Sequence, residues 1–340
     1  MKEPATLRSI AAEAGVSVAT VSRALKKPET VALHTRERIL ALVAQHRYVP
    51  DTLATSFSSG KTGLIGLIVP TIANSIYAAF TVAIQARLQA EGRKLLIANS
   101  NYDTALERDI LIKLVESRVE GVILTGFRRD AELYELLRHY RIPFVVTWST
   151  SPDPDIPAVS FDNEAAAELA VEALIERGHR NIAIVCGITA INDRADQRLK
   201  AYRRTLDRHG LPFNPDYVQE RLFEFREGER AAEVLLQREP RPTALFCAND
   251  ILALGALFAA TRQGVRVPHD LSIIGFDDLP IAQSVYPTLS TVHVPAQEMG
   301  EAAAMKIVNC IEKNKKITHL RLESRVVFRE STDFHLKRDS

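Results

Sequence analysis

Residues 11–31 read AAEAGVSVATVSRALKKPETV. Just upstream, Leu7, Ile10, Ala11 and Ala14 recur at helical spacing behind Thr6, so a helix capped by Thr6 is expected, ending at Gly15 where a left-handed residue is easiest to place. Ser17 then caps a second helix, with Val21 and Leu25 on its inner side and Val18, Ala19, Ser22 and Arg23 facing outward. Two short helices joined by so tight a turn have the shape of a helix-turn-helix, whose second helix lies in a DNA major groove. A third helix from about Leu33 to His46 brings Ile39, Leu42 and Val43 over the other two and closes a small core.

The rest of the composition fits such a head. The 340 residues carry a formal net charge of +1, with 46% hydrophobic and 25% charged side chains, as in an ordinary globular protein of two or three domains. The charge is uneven: residues 1–61 hold nine basic and five acidic side chains, roughly +4, which leaves roughly −3 for the remainder. A small basic head on a slightly acidic body suits a polyanionic partner. Cys186, Cys247 and Cys310 lie far apart and match no metal-ligand spacing, so neither a metal nor a disulfide is expected, and the reducing cytoplasm is the natural location. The opening MKEPATLRSI has no apolar core for export, and no run approaches the roughly 18 apolar residues of a membrane span.

Residues 48–70 read YVPDTLATSFSSGKTGLIGLIVP, a short, weakly apolar stretch that Asp51 can cap, followed by a Ser/Gly linker and a strand. Gly60-Lys61-Thr62 imitates the end of a phosphate-binding loop, but Thr55 stands where its first Gly is required and the segment precedes a strand instead of following one. From Leu64 the pattern becomes short apolar runs alternating with helices: LIGLIVP, KLLIANS, GVILTG, FVVTWS and AVSFDN, then after Gly178 NIAIVCG, TALFCAND and LSIIGFDD. This alternation predicts two similar α/β halves with parallel sheets covered on both faces. Ligands of such sheets sit at the carboxyl ends of strands, which is where Asn74, Asn249, Asp250, Asp277 and Asp278 fall; Asp250 is read as structural. No G-x-S-x-G, no G-x-G-x-x-G after a strand, no His cluster and no Cys–His pairing is present, so binding is expected and catalysis is not; no catalytic residue and no cofactor is assigned.

Seven segments in order, TLRSIAAEAGVSVATVSRAL, YVPDTLA, LIGLIVP, ERGHRNIAIVCG, ANDILALGAL, VPHDLSIIGFDD and PTLSTVHVP, resemble the lactose-repressor family of bacterial transcription regulators over nearly the whole chain. The resemblance implies a helix-turn-helix DNA-binding domain (1–47), a hinge helix and linker (48–61) and an effector-binding and dimerisation domain (62–340) similar to periplasmic sugar-binding proteins. In that fold the chain crosses three times between subdomains, of about 62–160 plus 292–322 and about 161–291 plus 323–340. The family's base-reading positions fall on Val18, Ala19 and Arg23, with Thr6, Ser17, Thr20, Ser22 and Thr35 near phosphates. Small apolar side chains can touch a thymine methyl, whereas an Arg can bind guanine through two hydrogen bonds. The hinge helix falls on residues 52–58, with Leu53, Ala54 and Phe57 as its minor-groove residues; Phe57 stands where relatives usually wedge a Leu into the duplex.

Effector-binding positions implied by the same resemblance are Asn74, Tyr77, Thr125, Trp148, Asn192, Arg194, Arg198, Phe223, Asn249 and Asp277. Many relatives that bind neutral sugars place an Asp near Trp148; with Arg194 and Arg198 available as guanidinium forks, a sugar acid or sugar phosphate of about six carbons is favoured over a neutral sugar. The expected partners are a palindromic double-stranded DNA operator, that effector and a second copy of the chain. The tail after Arg329 lacks the a/d Leu repeat of a tetramerising coiled coil, so a homodimer is expected. The alternative is a sugar-binding protein whose N-terminal helices serve oligomerisation.

Overall fold

Thr6 accepts a hydrogen bond from the Ser9 N–H at 3.1 Å and donates its own N–H to the Ser9 hydroxyl at 2.9 Å, a reciprocal cap that starts α1 (Leu7–Glu13). In the computed structural model, which describes residues 5–49, 62–151 and 153–334, this helix belongs to one of two units, residues 1–62 and 63–340. Gly15 follows α1 at φ +62°, and Ser17 then caps α2 (Val18–Lys26) by accepting from the Thr20 N–H at 3.1 Å. In α3 (Leu33–Gln45) the cap position, Ala32, supplies no side-chain acceptor. Ile10, Ala11, Ala14, Val21, Ala24 and Ile39 form the buried core of this unit, with Leu25, Leu42 and Val43 packed half-buried around it. Ala24, which sits three residues after Val21, is thus the second buried side chain of α2, and Leu25 lies at the core's edge. The imidazole of His46 lies 2.7 Å from the Glu13 carboxylate and ties the end of α3 to α1.

The second unit begins with β1 (Leu64–Val69), α4 (Ser75–Ala90), β2 (Lys94–Asn99), α5 (Thr104–Glu116), β3 (Gly121–Thr125), α6 (Ala131–His139), β4 (Phe144–Thr147) and β5 (Ala158–Phe161). It continues with α7 (Asn163–Glu176), β6 (Ile182–Gly187), α8 (Asp193–Arg208), β7 (Val218–Arg221), α9 (Phe225–Leu236), β8 (Ala244–Cys247), α10 (Asp250–Arg262) and β9 (Ser272–Ile274). The last elements are β10 (Thr291–His293), α11 (Ala296–Lys313), β11 (Leu320–Leu322) and β12 (Arg325–Val327). Two parallel sheets result, ordered β11-β5-β4-β3-β1-β2 and β7-β6-β8-β9, with β10 and β12 forming a separate antiparallel pair. The central strands β3 to β6 and β8 are buried along nearly their whole length because helices cover both faces, which is why they read as unbroken apolar runs.

The chain leaves the first sheet after β5, returns to it for β11 after β10, and departs again into β12. Asp278, in the loop after β9, clasps two of these passages: its carboxylate lies 2.6 Å from Arg329 Nη2 and 3.0 Å from His293 Nδ1. Burial opposes the charge of Asp278, but Arg329 and His293 prevail and hold its pKa below the ordinary carboxylate value. The strands β7, β10, β11 and β12, three or four residues each, give no periodicity that sequence reading can detect.

Among the described residues, no helix is long and apolar enough to cross a membrane and no cluster of His, Cys, Asp and Glu can hold a metal ion. Cys186 and Cys247 are buried free thiols, and Cys310 is a half-buried one.

Candidate functional site

The first unit presents an exposed row on α2. Ser17, Val18, Ala19 and Arg23 are exposed, whereas Thr20 and Ser22 are half-buried. The Thr20 hydroxyl lies 2.9 Å from that of Ser17, and Arg23 Nε reaches back to the Ala19 carbonyl at 3.4 Å, which lays the guanidinium along the exposed side of the helix. Thr6 and Ser17 use their hydroxyl oxygens as caps, which leaves each O–H able to donate to a phosphate. Thr35 is half-buried on the first turn of α3. Leu53, Ala54 and Phe57, and the hinge helix expected around them, lie outside the described residues.

The second unit holds a cleft between its two sheets. Asn74, Tyr77, Trp148, Asn192, Arg194, Arg198, Phe223, Asn249 and Asp277 converge on one cavity of ≈ 20 Å³, joined by Ile76 and Tyr102. Thr125 lies elsewhere, in an adjoining recess, and its hydroxyl donates to the Ile68 carbonyl at 2.9 Å. Three helix N-termini meet at the cavity, because each of the three asparagines is an N-cap. Asn74 Oδ1 accepts from Ile76 N–H at 3.3 Å on α4, Asn192 Oδ1 from Arg194 N–H at 3.1 Å on α8, and Asn249 Oδ1 from Ile251 N–H at 2.8 Å on α10. These bonds fix the amide orientations and turn the NH2 groups into what the side chains offer an occupant.

Trp148 follows β4 at φ +70°, a left-handed conformation unusual for a bulky residue. Its ring packs against Tyr77 and Phe80 with centroids 4.8 and 5.4 Å apart, and Asn163 Nδ2 holds its carbonyl at 2.6 Å. Its indole Nε1 is buried and has no hydrogen-bond partner among the described residues. Arg198 lies over the Phe276 ring at 3.9 Å and donates to Asn163 Oδ1 from Nε and Nη2 at 3.2 and 3.0 Å, and to the Ala248 carbonyl from Nη1 at 2.6 Å. Asp277 accepts from Asn249 Nδ2 at 2.5 Å; burial pushes its pKa up to about 7, with Arg198 and Asn249 opposing. Neighbouring Asp250 is structural: it accepts from the Thr291 hydroxyl at 2.6 Å and the Leu279 N–H at 2.8 Å.

A contact between the halves escaped the sequence reading. Asp193, first residue of α8 beside β6, reaches across to the loops after β3 and β4, accepting from Phe127 N–H at 2.8 Å and the Ser149 hydroxyl at 2.9 Å while pairing with Arg194 Nη1 at 2.7 Å. Gly126 makes room for it: a Cβ there would stand 2.0 Å from Arg194 Nη1 and 2.7 Å from Asp193 Oδ1. Tyr102, at φ +61° in the loop after β2, is within hydrogen-bonding reach of the Tyr77 hydroxyl.

Residues 6–51 match the model for bacterial regulatory proteins of the lacI family, and residues 171–332 match that for a periplasmic binding protein-like domain. The chain is 33% identical over 328 residues to catabolite control protein A of Priestia megaterium, covering 96% of this chain and 99% of that protein. It is likewise 33% identical over 307 residues to the HTH-type transcriptional repressor CytR of Escherichia coli, covering 90% of this chain and 89% of that one. Among solved structures, that of the lac repressor dimer bound to operator and the anti-inducer ONPF is similar over 97% of this chain and 100% of its own, with TM-score 0.85 and 26% identity.

Proposed function

The chain belongs to the lacI family of bacterial regulatory proteins and is a DNA-binding transcriptional repressor, and from that premise we propose that it acts as a homodimer on a palindromic operator under the control of a small sugar-like effector held in the cleft. The observation that carries the effector is the convergence of three capped helix N-termini, two arginines and one carboxylate with the rings of Tyr77, Trp148 and Phe223, a pairing of flat apolar faces with directed polar groups that suits a hydroxylated ring. In this reading Arg23 reads a guanine, Val18 and Ala19 touch thymine methyls, and Thr6, Ser17, Thr20, Ser22 and Thr35 position the head on phosphates.

Pairing through the effector domain is supported by apolar side chains left exposed on it. Ile97 on the edge strand β2 is 47% exposed and Val82 on α4 65%; on the other half Phe258 is 47% and Tyr286 91% exposed. Effector binding changes how the two sheets pack across the cleft, and the paired hinges then bind DNA more or less tightly.

A thermal-shift screen of sugars, sugar acids and sugar phosphates, followed by operator binding with each hit, tests this. A ligand that raises the melting temperature should change operator affinity, and the direction of that change identifies it as inducer or corepressor. Ligands that occupy the cleft and leave operator affinity unchanged would overturn the proposal.

A further inference from the structure

The polar groups of the cleft are unequally divided between donors and acceptors. The oxygens of Asn74, Asn192 and Asn249 are engaged as helix caps, so these side chains offer an occupant only their NH2 groups. Trp148, a residue 1% exposed that lines the cavity, adds an N–H with no partner among the described residues. A donor so buried has a desolvation cost that only an acceptor inside the cavity removes. On the acceptor side stand Asp277, one of whose two oxygens already receives Asn249, and the hydroxyls of Tyr77 and Tyr102, which are within reach of each other and donate as well as accept.

The charges are unequal too. Arg194 is neutralised by Asp193, but Arg198, buried to 5% exposure, bonds only neutral oxygens, those of Asn163 and Ala248, and makes no ion pair within 4 Å among the described residues. Its charge adds to the positive ends of α4, α8 and α10. The carboxyl nearest to it in effect, Asp277, is drawn by burial toward its neutral form and compensates the charge of Arg198 only in part. A neutral polyol, each of whose hydroxyls needs an acceptor as well as a donor, meets a surplus of donors here.

We propose that the effector carries an oxyanion, a carboxylate or phosphate, seated between Trp148 Nε1 and the NH2 groups of Asn74 and Asn192, with its hydroxylated remainder toward Asp277. This rests on the cleft being the effector site and specifies what that site selects. It also changes the roles expected of the arginines. The fork of Arg198 is already engaged by Asn163 and Ala248, and Nη1 of Arg194 by Asp193, so Arg198 supplies charge and order while the amides and the indole make the contacts.

Trp148 is the single tryptophan of the chain, so its emission reports on the cleft alone. The intact protein is titrated with inorganic phosphate against chloride at equal ionic strength, with gluconate against sorbitol, and with glucose 6-phosphate against glucose. The expected result is a saturable change for phosphate and a Kd at least about tenfold lower for one charged member than for its neutral counterpart; which pair responds distinguishes carboxylate from phosphate. In Asn192→Asp, which keeps the cap but replaces the donor by an anion, that preference should fall about tenfold. A neutral member that binds as tightly as its charged counterpart, or the lack of any saturable response to all three anions, overturns the proposal. Operator binding measured in the same samples keeps the two readings apart. An anion that saturates Trp148 without altering operator affinity refutes the regulatory role and leaves the anion preference standing, whereas a neutral sugar that alters operator affinity does the reverse.

Discussion

Replacing Asp193 by Ala should loosen the closed cleft. The carboxylate accepts two hydrogen bonds from the opposite half, at 2.8 and 2.9 Å, and is the counter-ion of Arg194, which is 5% exposed. Hydrogen bonds to a charged group contribute about 1.5–3 kcal/mol each, and leaving a buried partner without its counter-ion costs about 3–5 kcal/mol. Opening lets water reach Arg194 and recovers part of this, so the closed form should lose about 3 kcal/mol, a factor of about 100 in its ratio to the open form. The helix itself should survive, because Asn192 remains as its cap. Acrylamide quenching of Trp148 then reads the opening directly, and the Kd of an effector that binds the closed form rises in proportion to the lost closed fraction. Quenching and Kd both within twofold of the parent, in a variant with unchanged far-UV circular dichroism, would refute this account of Asp193. The sign of its pH dependence also follows. Burial opposes the charge, but Arg194, the Phe127 N–H and Ser149 outweigh it, so the pKa of Asp193 is lowered from the ordinary carboxylate value. The contribution is therefore complete above the ordinary carboxylate range and is lost only as pH falls through the lowered value.

Arg23→Ala should cost about 1–3 kcal/mol on the specific operator and little on random DNA, and equal losses on both in anisotropy titrations would remove its base-reading role. Ala32→Ser gives α3 the side-chain cap it lacks and should stabilise the head by about 1 kcal/mol, visible as a higher melting temperature; no gain would mean that the Ala32 backbone does not admit the capping rotamer. Asp277 faces Arg198 and Asn249, with Asp250 and Tyr77 also in its field, and its pKa of about 7 is raised over the unfolded value. Its contribution to stability is thus full below the ordinary carboxylate pKa and is lost as pH rises through about 7. An anionic effector should bind more weakly over the same rise, and Asp277→Asn should flatten both profiles; affinity that increases with pH would contradict the assignment.

Much of the cleft was legible because its polar residues obey one rule: an apolar strand, then an Asn or Asp, then a helix. Asn74 and Asn249 satisfy it in the bare sequence, and the structure shows why, since the side chain that caps the helix is also the one at the strand's carboxyl end. The same rule applied to KLLIANS points to Asp103, the cap of α5, and passes over Tyr102, whose left-handed loop carries no periodicity. Thr125 obeys the rule by position, but its hydroxyl is taken by the carbonyl of Ile68 on the neighbouring strand, a contact that depends on strand order. Asp193 was hidden differently: its partners Phe127 and Ser149 lie 66 and 44 residues away, on loops of the other sheet. Strand pairing over such separations is set by tertiary packing and leaves no local trace, which is also why β11 could not be read as the sixth strand of the first sheet.

The closed cleft itself constrains how an effector can act. Its ≈ 20 Å³ falls far below the roughly 300 Å³ at which ligand sites begin, so a six-carbon molecule can enter only if side chains move or the halves part. Tyr102 lines this cavity and two further recesses of ≈ 20 Å³ each, so a turn of one side chain away from Tyr77 would join all three. Asp193 opposes the other route by binding the halves to each other. A ligand that enters by displacing Tyr102 leaves the halves closed and adds its own contacts to those of Asp193. One that parts the halves must replace those contacts from both sides. The first therefore favours the closed form and the second the open one, and either difference in affinity is enough to shift a conformational equilibrium. Tyr102→Ala separates the routes. If the side chain is the gate, effector association accelerates several-fold and the operator response is retained; if the halves must part, association is unchanged and Asp193→Ala is the variant that accelerates it.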